Sequence, residues 1–305
     1  MQQHHTNRTK ESRNLFITVF LNFIIATAEL IGGIFSNSLA LISDAIHNFS
    51  DGVAMLITYI TVKISKKQST PQKTFGYKRI QILAALFNAV TLIAICLFLI
   101  YESYDRFVNP QEVKSLPMLL VASIGLIANL AGVILLKDFK SGNINIKAAY
   151  LHLIGDTLSS VAVIVGGILI YFYNIHWIDP FITVLISLYI IRETYKVIAE
   201  TYNILMQATP AWLDLQEVEK RLCAIEGVKG VHHVHAWSLT DHEVHFEGHL
   251  ELEQDIKVSE AQLICCEATI ILSKEFGIGH STLQVENNLC STQNLIANSN
   301  DCQTP

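Results

Sequence analysis

The chain has 305 residues, with 51% apolar side chains, 16% charged ones and a mean hydropathy of +0.38. Soluble domains carry about 25% charge, so this chain is depleted, and disorder, a collagenous repeat and a coiled coil are excluded. Charge divides unevenly: residues 1–206 are net +4 and residues 207–305 net −10, an acidic balance that repels nucleic acid and attracts cations.

The N-terminal MQQHHTNRTKESRN is polar and mixed in charge and does not read as a cleavable signal peptide. Six apolar stretches follow, near 14–35, 39–64, 80–101, 115–136, 146–173 and 177–200. Each is long enough to cross a bilayer, which takes about 20 residues. The connectors set the orientation. Residues 63–79 hold six Lys and Arg and no acid, and the 137–147 connector adds three Lys. The turn at 36–38 and the segment YNIHWIDP have neither Lys nor Arg. The positive-inside rule therefore predicts that both ends of the chain are cytoplasmic.

After Pro210 the pattern turns soluble. DLQEVEKRLCAI predicts an amphipathic helix, GVHHVHAWSLT and EVHFEGHLELE two strands, SEAQLICCEATIILSKEF a helix, and HSTLQVEN a last strand. That order predicts a small α+β layer with helices on one sheet face. The expected division is a tail over 1–13, a helical transmembrane domain over 14–206, a cytoplasmic domain over 207–290 and a flexible tail over 291–305. The six cysteines include no Cys-x-x-Cys pair and read as ordinary reduced thiols.

Ionisable residues inside an apolar span are costly and point to function. Two spans carry them identically: His47 and Asp51 in the second, His152 and Asp156 in the fifth, each pair four residues apart. That spacing stacks both side chains on one helix face. The two spans run in opposite directions, so His47 can meet Asp156 and Asp51 can meet His152. Two imidazoles and two carboxylates make a tetrahedral Zn²⁺ set. The plainer alternative is a private hydrogen bond within each pair, but the duplication on antiparallel spans favours one shared site. Asp44 reads either as the carboxylate orienting His47 or as an acid near a helix N-terminus. Glu29 is open between a proton-handling and a packing role.

SNSLALISDAIHNFSD, FGYKRIQILAALFNAV and YLHLIGDTLSSVAVI resemble the cation diffusion facilitator family of zinc transporters, over essentially residues 13–290. The resemblance implies a polytopic protein of six transmembrane helices with a ferredoxin-like cytoplasmic C-terminal domain. It implies a homodimer in an inner (plasma) membrane that exchanges cytoplasmic Zn²⁺ for external protons. It places the transport site on His47, Asp51, His152 and Asp156, and a cytoplasmic metal site on His232, His249, His280 and Glu286. A further site in the loop after the second span, known in some members, is not expected here, because that loop lacks His and Asp.

The alternative within the family is a carrier of broader selectivity, for Cd²⁺, Co²⁺, Fe²⁺ or Mn²⁺. A passive metal channel and a membrane-embedded metalloenzyme are rivals from other classes. Four convergent ligands leave the enzyme no open coordination position, and no His-Glu-x-x-His motif is present.

Overall fold

The computed structural model describes residues 23–65, 67–137, 144–241, 243–287 and 294–296. The expected tail over 1–13 and the start of the first apolar stretch lie outside these. The chain divides into two compact units, Met1–Thr61 with Ala84–Ile198, and Val62–Leu83 with Ala199–Pro305.

The first unit is helical. Its elements are α1 (Phe23–Ser36), α2 (Leu39–Ser65), α3 (Ile80–Val108), α4 (Ser115–Leu136), α5 (Ile144–Tyr173) and α6 (Ile178–Leu205), of which α2, α3 and α6 run on into the second unit. Among the described residues three stretches, Ile80–Val108, Ser115–Ile134 and Leu153–Tyr173, are long and apolar enough to cross a bilayer. α2 and α6 have the length, at 27 and 28 residues, but carry more polar groups. α3 outruns its apolar run of 80–101 by seven residues. ESYDRFV continues the helix, with Glu102 and Arg106 paired one turn apart.

α1 shows how these helices are built. Ile25, Ala26, Glu29, Gly32, Gly33 and Ser36 are buried at helical spacing, whereas Ile24, Ile31, Ile34 and Phe35 are exposed. A surface this apolar is stable only against lipid or another apolar face.

A tight turn joins α1 to α2 through Asn37, which has a left-handed φ of 58°. Arg106 at the end of α3 holds that turn, donating to the Asn37 carbonyl at 2.6 Å and to its Oδ1 at 2.9 Å. Asp179 in the first turn of α6 then caps α2 from outside. Its carboxylate accepts from Ser38 Oγ and from the backbone N–H of Leu39 at 2.7 Å and Ala40 at 3.4 Å. Those donors have no intrahelical partner, and an anion there opposes the positive end of the helix dipole. The N-terminal end of α2 is thereby fixed.

The second unit contains α7 (Leu215–Leu222), β1 (Val228–Ser238), β2 (Val244–Leu252), α8 (Val258–Phe276) and β3 (His280–Glu286). Asp214 caps α7, accepting from the N–H of Gln216 at 2.9 Å and Glu217 at 3.4 Å. Gly277 ends α8 at a φ of 62°, a conformation glycine adopts freely. The sheet order is β1-β2-β3, antiparallel between β1 and β2 and parallel between β2 and β3. α8 is the crossover that a parallel pair requires.

One sheet face carries Val231, Val234, Ala236, Phe246 and Leu250, packed in one core with Val218 and Leu222 of α7 and Ala268 and Leu272 of α8. Leu222, Leu250 and Leu272 are fully buried, so truncating any of them to Ala costs about 2–5 kcal/mol. The opposite face is polar. Residues 294–296, expected to fray, lie along β1: the carbonyls of Asn294 and Leu295 accept from the N–H of His233 and Val234.

Candidate metal centres

α2 and α5 bring three of the four intramembrane candidates together. His47 Nε2 lies 3.7 Å from Asp156 Oδ1, and His47 Nδ1 lies 3.7 Å from Asp51 Oδ2. The first distance joins α2 to α5, the cross-helix meeting expected from antiparallel spans. Asp156 is buried at 1% exposure, whereas Asp51 keeps 26%, so the cluster has one closed and one open side. His152 stands one turn before Asp156 on α5, which places it on the same helix face; its side chain lies outside the described residues.

Asp44 interacts electrostatically with His47. Its two carboxylate oxygens also accept from Ser159 and Ser160 of α5, the second at 3.3 Å. Ser160 in turn accepts from Asn129 of α4 at 3.4 Å. α2 thus carries two polar stripes. Asp44 and Asn48 face the helix packing, fully buried, and His47 and Asp51 face the cluster. Sequence reading missed Asn48, Asn129, Ser159 and Ser160; the signal available was their position inside otherwise apolar spans.

The second centre is on the polar face of the sheet. Glu286 ends β3 with Oε1 2.7 Å from His249 Nδ1 and Oε2 3.3 Å from His232 Nε2. Donor atoms of the three residues lie within 4.8 Å of one another, and among the described residues no other group of His, Cys, Asp and Glu meets that condition. Both ring nitrogens of His232 are buried without a hydrogen-bond partner among the described residues. Two imidazoles and a carboxylate, with nitrogens lacking other partners, fit a divalent transition metal. Burial pushes the His249 pKa below its ordinary 6.5, and neighbouring His233 and His232 act the same way while Glu286 opposes. The imidazole is therefore neutral and able to ligate at pH 7.

His280 does not join this cluster. The parallel register sets His280 opposite His245 and Glu286 opposite Glu251. Six residues of strand separate His280 from Glu286, about 20 Å. The His280 ring lies instead 4.7 Å from that of His245. Simple alternation along β1 fails as well. A bulge between His232 and His235, with His233 at a φ of 52°, puts His232 opposite His249 and His235 opposite Glu247. His233, missed as a member of this group, stacks on His249 at 4.8 Å.

Comparison with known proteins matches both units. A family model described as the cation efflux transmembrane domain matches residues 15–206, and one described as the cytoplasmic domain of cation efflux proteins matches 210–288. The chain is 37% identical to the metal cation efflux system protein CzcD of Cupriavidus metallidurans, over 92% of this chain and 89% of that one. It is 35% identical to a cadmium, cobalt and zinc/H(+)-K(+) antiporter of Bacillus subtilis, over 96% and 94%. It is 33% identical to the zinc transporter ZitB of Pectobacterium atrosepticum, over 94% and 89%.

Proposed function

The chain belongs to the cation diffusion facilitator family of membrane metal-efflux transporters, and we propose that it exports Zn²⁺ from the cytoplasm in exchange for protons. It is a transporter and not an enzyme. The observation that carries the reading is the convergence of His47, Asp51 and Asp156 from α2 and α5, with His152 one turn away on α5 as the fourth ligand.

In this reading six spans cross an inner membrane with both chain ends cytoplasmic, and the protein works as a homodimer. Zn²⁺ enters from the cytoplasm when the imidazoles are neutral and the carboxylates ionised. The helices then rearrange so that the cluster faces outward. External protons compete for the same nitrogen and oxygen atoms and release the metal, because ligation and protonation exclude each other. Imidazole titrates near pH ~6.5, in the range where a modest gradient tips that competition.

The sheet centre has a different role. His232, His249 and Glu286 would hold a resident Zn²⁺, which supplies positive charge to an acidic domain. Charge neutralisation there favours approach of two such domains in the dimer. A second reading, broader metal selectivity, is favoured by the names of two relatives, one a metal cation exporter and one a cadmium, cobalt and zinc antiporter.

The test is Zn²⁺ transport into everted or reconstituted vesicles, with and without a pH gradient, for wild type, Asp51→Ala and Asp156→Ala. Wild-type transport should follow the gradient. Both variants should fold as the wild type does and transport nothing. Near-normal transport by either one refutes the site, and transport indifferent to the gradient refutes the coupling. Running Cd²⁺ and Co²⁺ alongside decides between the two selectivities.

A further inference from the structure

Glu29 stands at the centre of the inward stripe of α1, with no exposed surface. Asn48 of α2, equally buried, donates from Nδ2 to Glu29 Oε2 at 3.1 Å. The remaining oxygen of each side chain, Glu29 Oε1 and Asn48 Oδ1, is buried without a hydrogen-bond partner among the described residues. An ionised carboxylate only accepts, so it leaves both atoms orphaned, each at the desolvation cost of a buried polar group without a partner. A carboxylic acid carries the missing donor.

We propose that Glu29 is held as the neutral acid, joined to the Asn48 amide by two reciprocal hydrogen bonds, and that this pair positions α2 beside His47. One bond runs from Asn48 Nδ2 to Glu29 Oε2 and the other from Glu29 Oε1–H to Asn48 Oδ1.

Charge balance supports the neutral form. Glu29 makes no ion pair among the described residues, and the charged groups acting on it are Asp44 from α2 and Asp156 from α5, both acidic. An uncompensated carboxylate in a water-free interior is far costlier than the acid. The third side of the pocket is closed by α4. A Cβ on Gly125 would lie 2.0 Å from Glu29 Oε1 and 3.1 Å from Cδ, so only glycine leaves room for the acid. Asn48 immediately follows His47, so the pair fixes the rotation of α2 that aims His47 at Asp156. Glu29 thus acts through Asn48, as a positioning residue.

The proposal rests on the transport-site reading only for its effect on metal affinity; its chemistry is tested separately. Infrared spectra of the purified full-length chain, wild type minus Glu29→Gln, should show a protonated-carboxyl C=O band that is constant across the neutral pH range. Glutamine makes the same two bonds with Asn48, so Glu29→Gln should keep the half-saturating metal concentration within about twofold and leave the pH profile unshifted. Glu29→Ala and Gly125→Ala should raise that concentration about tenfold, the scale on which groups behind a metal ligand act. Absence of the band, or a shifted pH profile in Glu29→Gln, would overturn the proposal. If the transport-site reading alone failed, Asp156→Ala would transport normally and the infrared band would persist.

Discussion

Neutralising Glu286 should separate metal binding from stability in the sheet domain. Glu286 is 4% exposed and touches both imidazoles, His249 at 2.7 Å and His232 at 3.3 Å. In Glu286→Gln the side chain keeps its shape and loses its charge. A charge-assisted contact is worth about 1.5–3 kcal/mol, which weakens metal binding by about 10- to 150-fold. At free Zn²⁺ a hundred times the wild-type Kd, binding stabilises the folded domain by about 2.7 kcal/mol. The same metal concentration leaves the variant with about 0.3–1.4 kcal/mol. In a domain of this size 1 kcal/mol moves Tm by about 4–8 °C, so the wild-type shift is about 10–20 °C and about half to nine-tenths of it disappears. With chelator present the order changes, because a buried carboxylate is costly and its neutral isostere is not. Glu286→Gln should then melt no lower than wild type. Two of the three tryptophans, Trp212 and Trp237, belong to this unit, so tryptophan fluorescence of the full-length chain follows its unfolding. An undiminished metal-induced shift in Glu286→Gln would refute the metal centre.

Two further outcomes are expected. His47→Asp exchanges a nitrogen ligand for oxygen and adds negative charge, so Cd²⁺ transport should rise relative to Zn²⁺; an unchanged ratio in vesicle assays would place selectivity elsewhere. The lowered pKa of His249 means that below about 6.5 the unfolded chain binds more protons than the folded one, so stability is lost as pH falls through that value. Metal-free melts in chelator should show Tm declining on acidification below about pH 6.5, and a flat profile would contradict burial of a neutral imidazole.

The meeting of His47, Asp51 and Asp156 was legible because what each helix contributes is local. His47 and Asp51 are one helical turn apart, as are His152 and Asp156, and helical period alone puts each pair on one face. What was not legible depends on other helices. Asp44 is bonded to Ser159 and Ser160, more than a hundred residues away, and nothing near Asp44 in sequence distinguishes that partner from His47. Glu29 was open for the same reason, since its role is set by Asn48 and by the missing side chain of Gly125.

The sheet shows the other limit, since strand type follows from composition but register does not. Alternation along β1 separated His232 from His235, which the bulge at His233 returns to one face, and alternation along β2 and β3 is satisfied by every second parallel offset between them. The offset observed is fixed by α8, whose 19 residues and Gly277 turn deliver the chain to β3 at His280 opposite His245. This register gives the polar face two ends. His232, His249 and Glu286 occupy one; Trp237, His245 and His280 occupy the other, with Glu247 and Thr282 opposite each other between them. The second end is covered by the loop that follows α2: Phe75 meets the His245 ring edge-on at 5.4 Å, and Lys78 pairs with Glu243 at 2.5 Å. Burial there, with His280, Lys78 and Arg79 nearby, lowers the His245 pKa. His245 and His280 thus face an aromatic ring and cationic groups, surroundings that disfavour a bound cation, while the acidic and imidazole donors gather at the far end. One face of one small sheet therefore supplies an intrachain contact and a metal centre, and the register alone determines which histidine serves which.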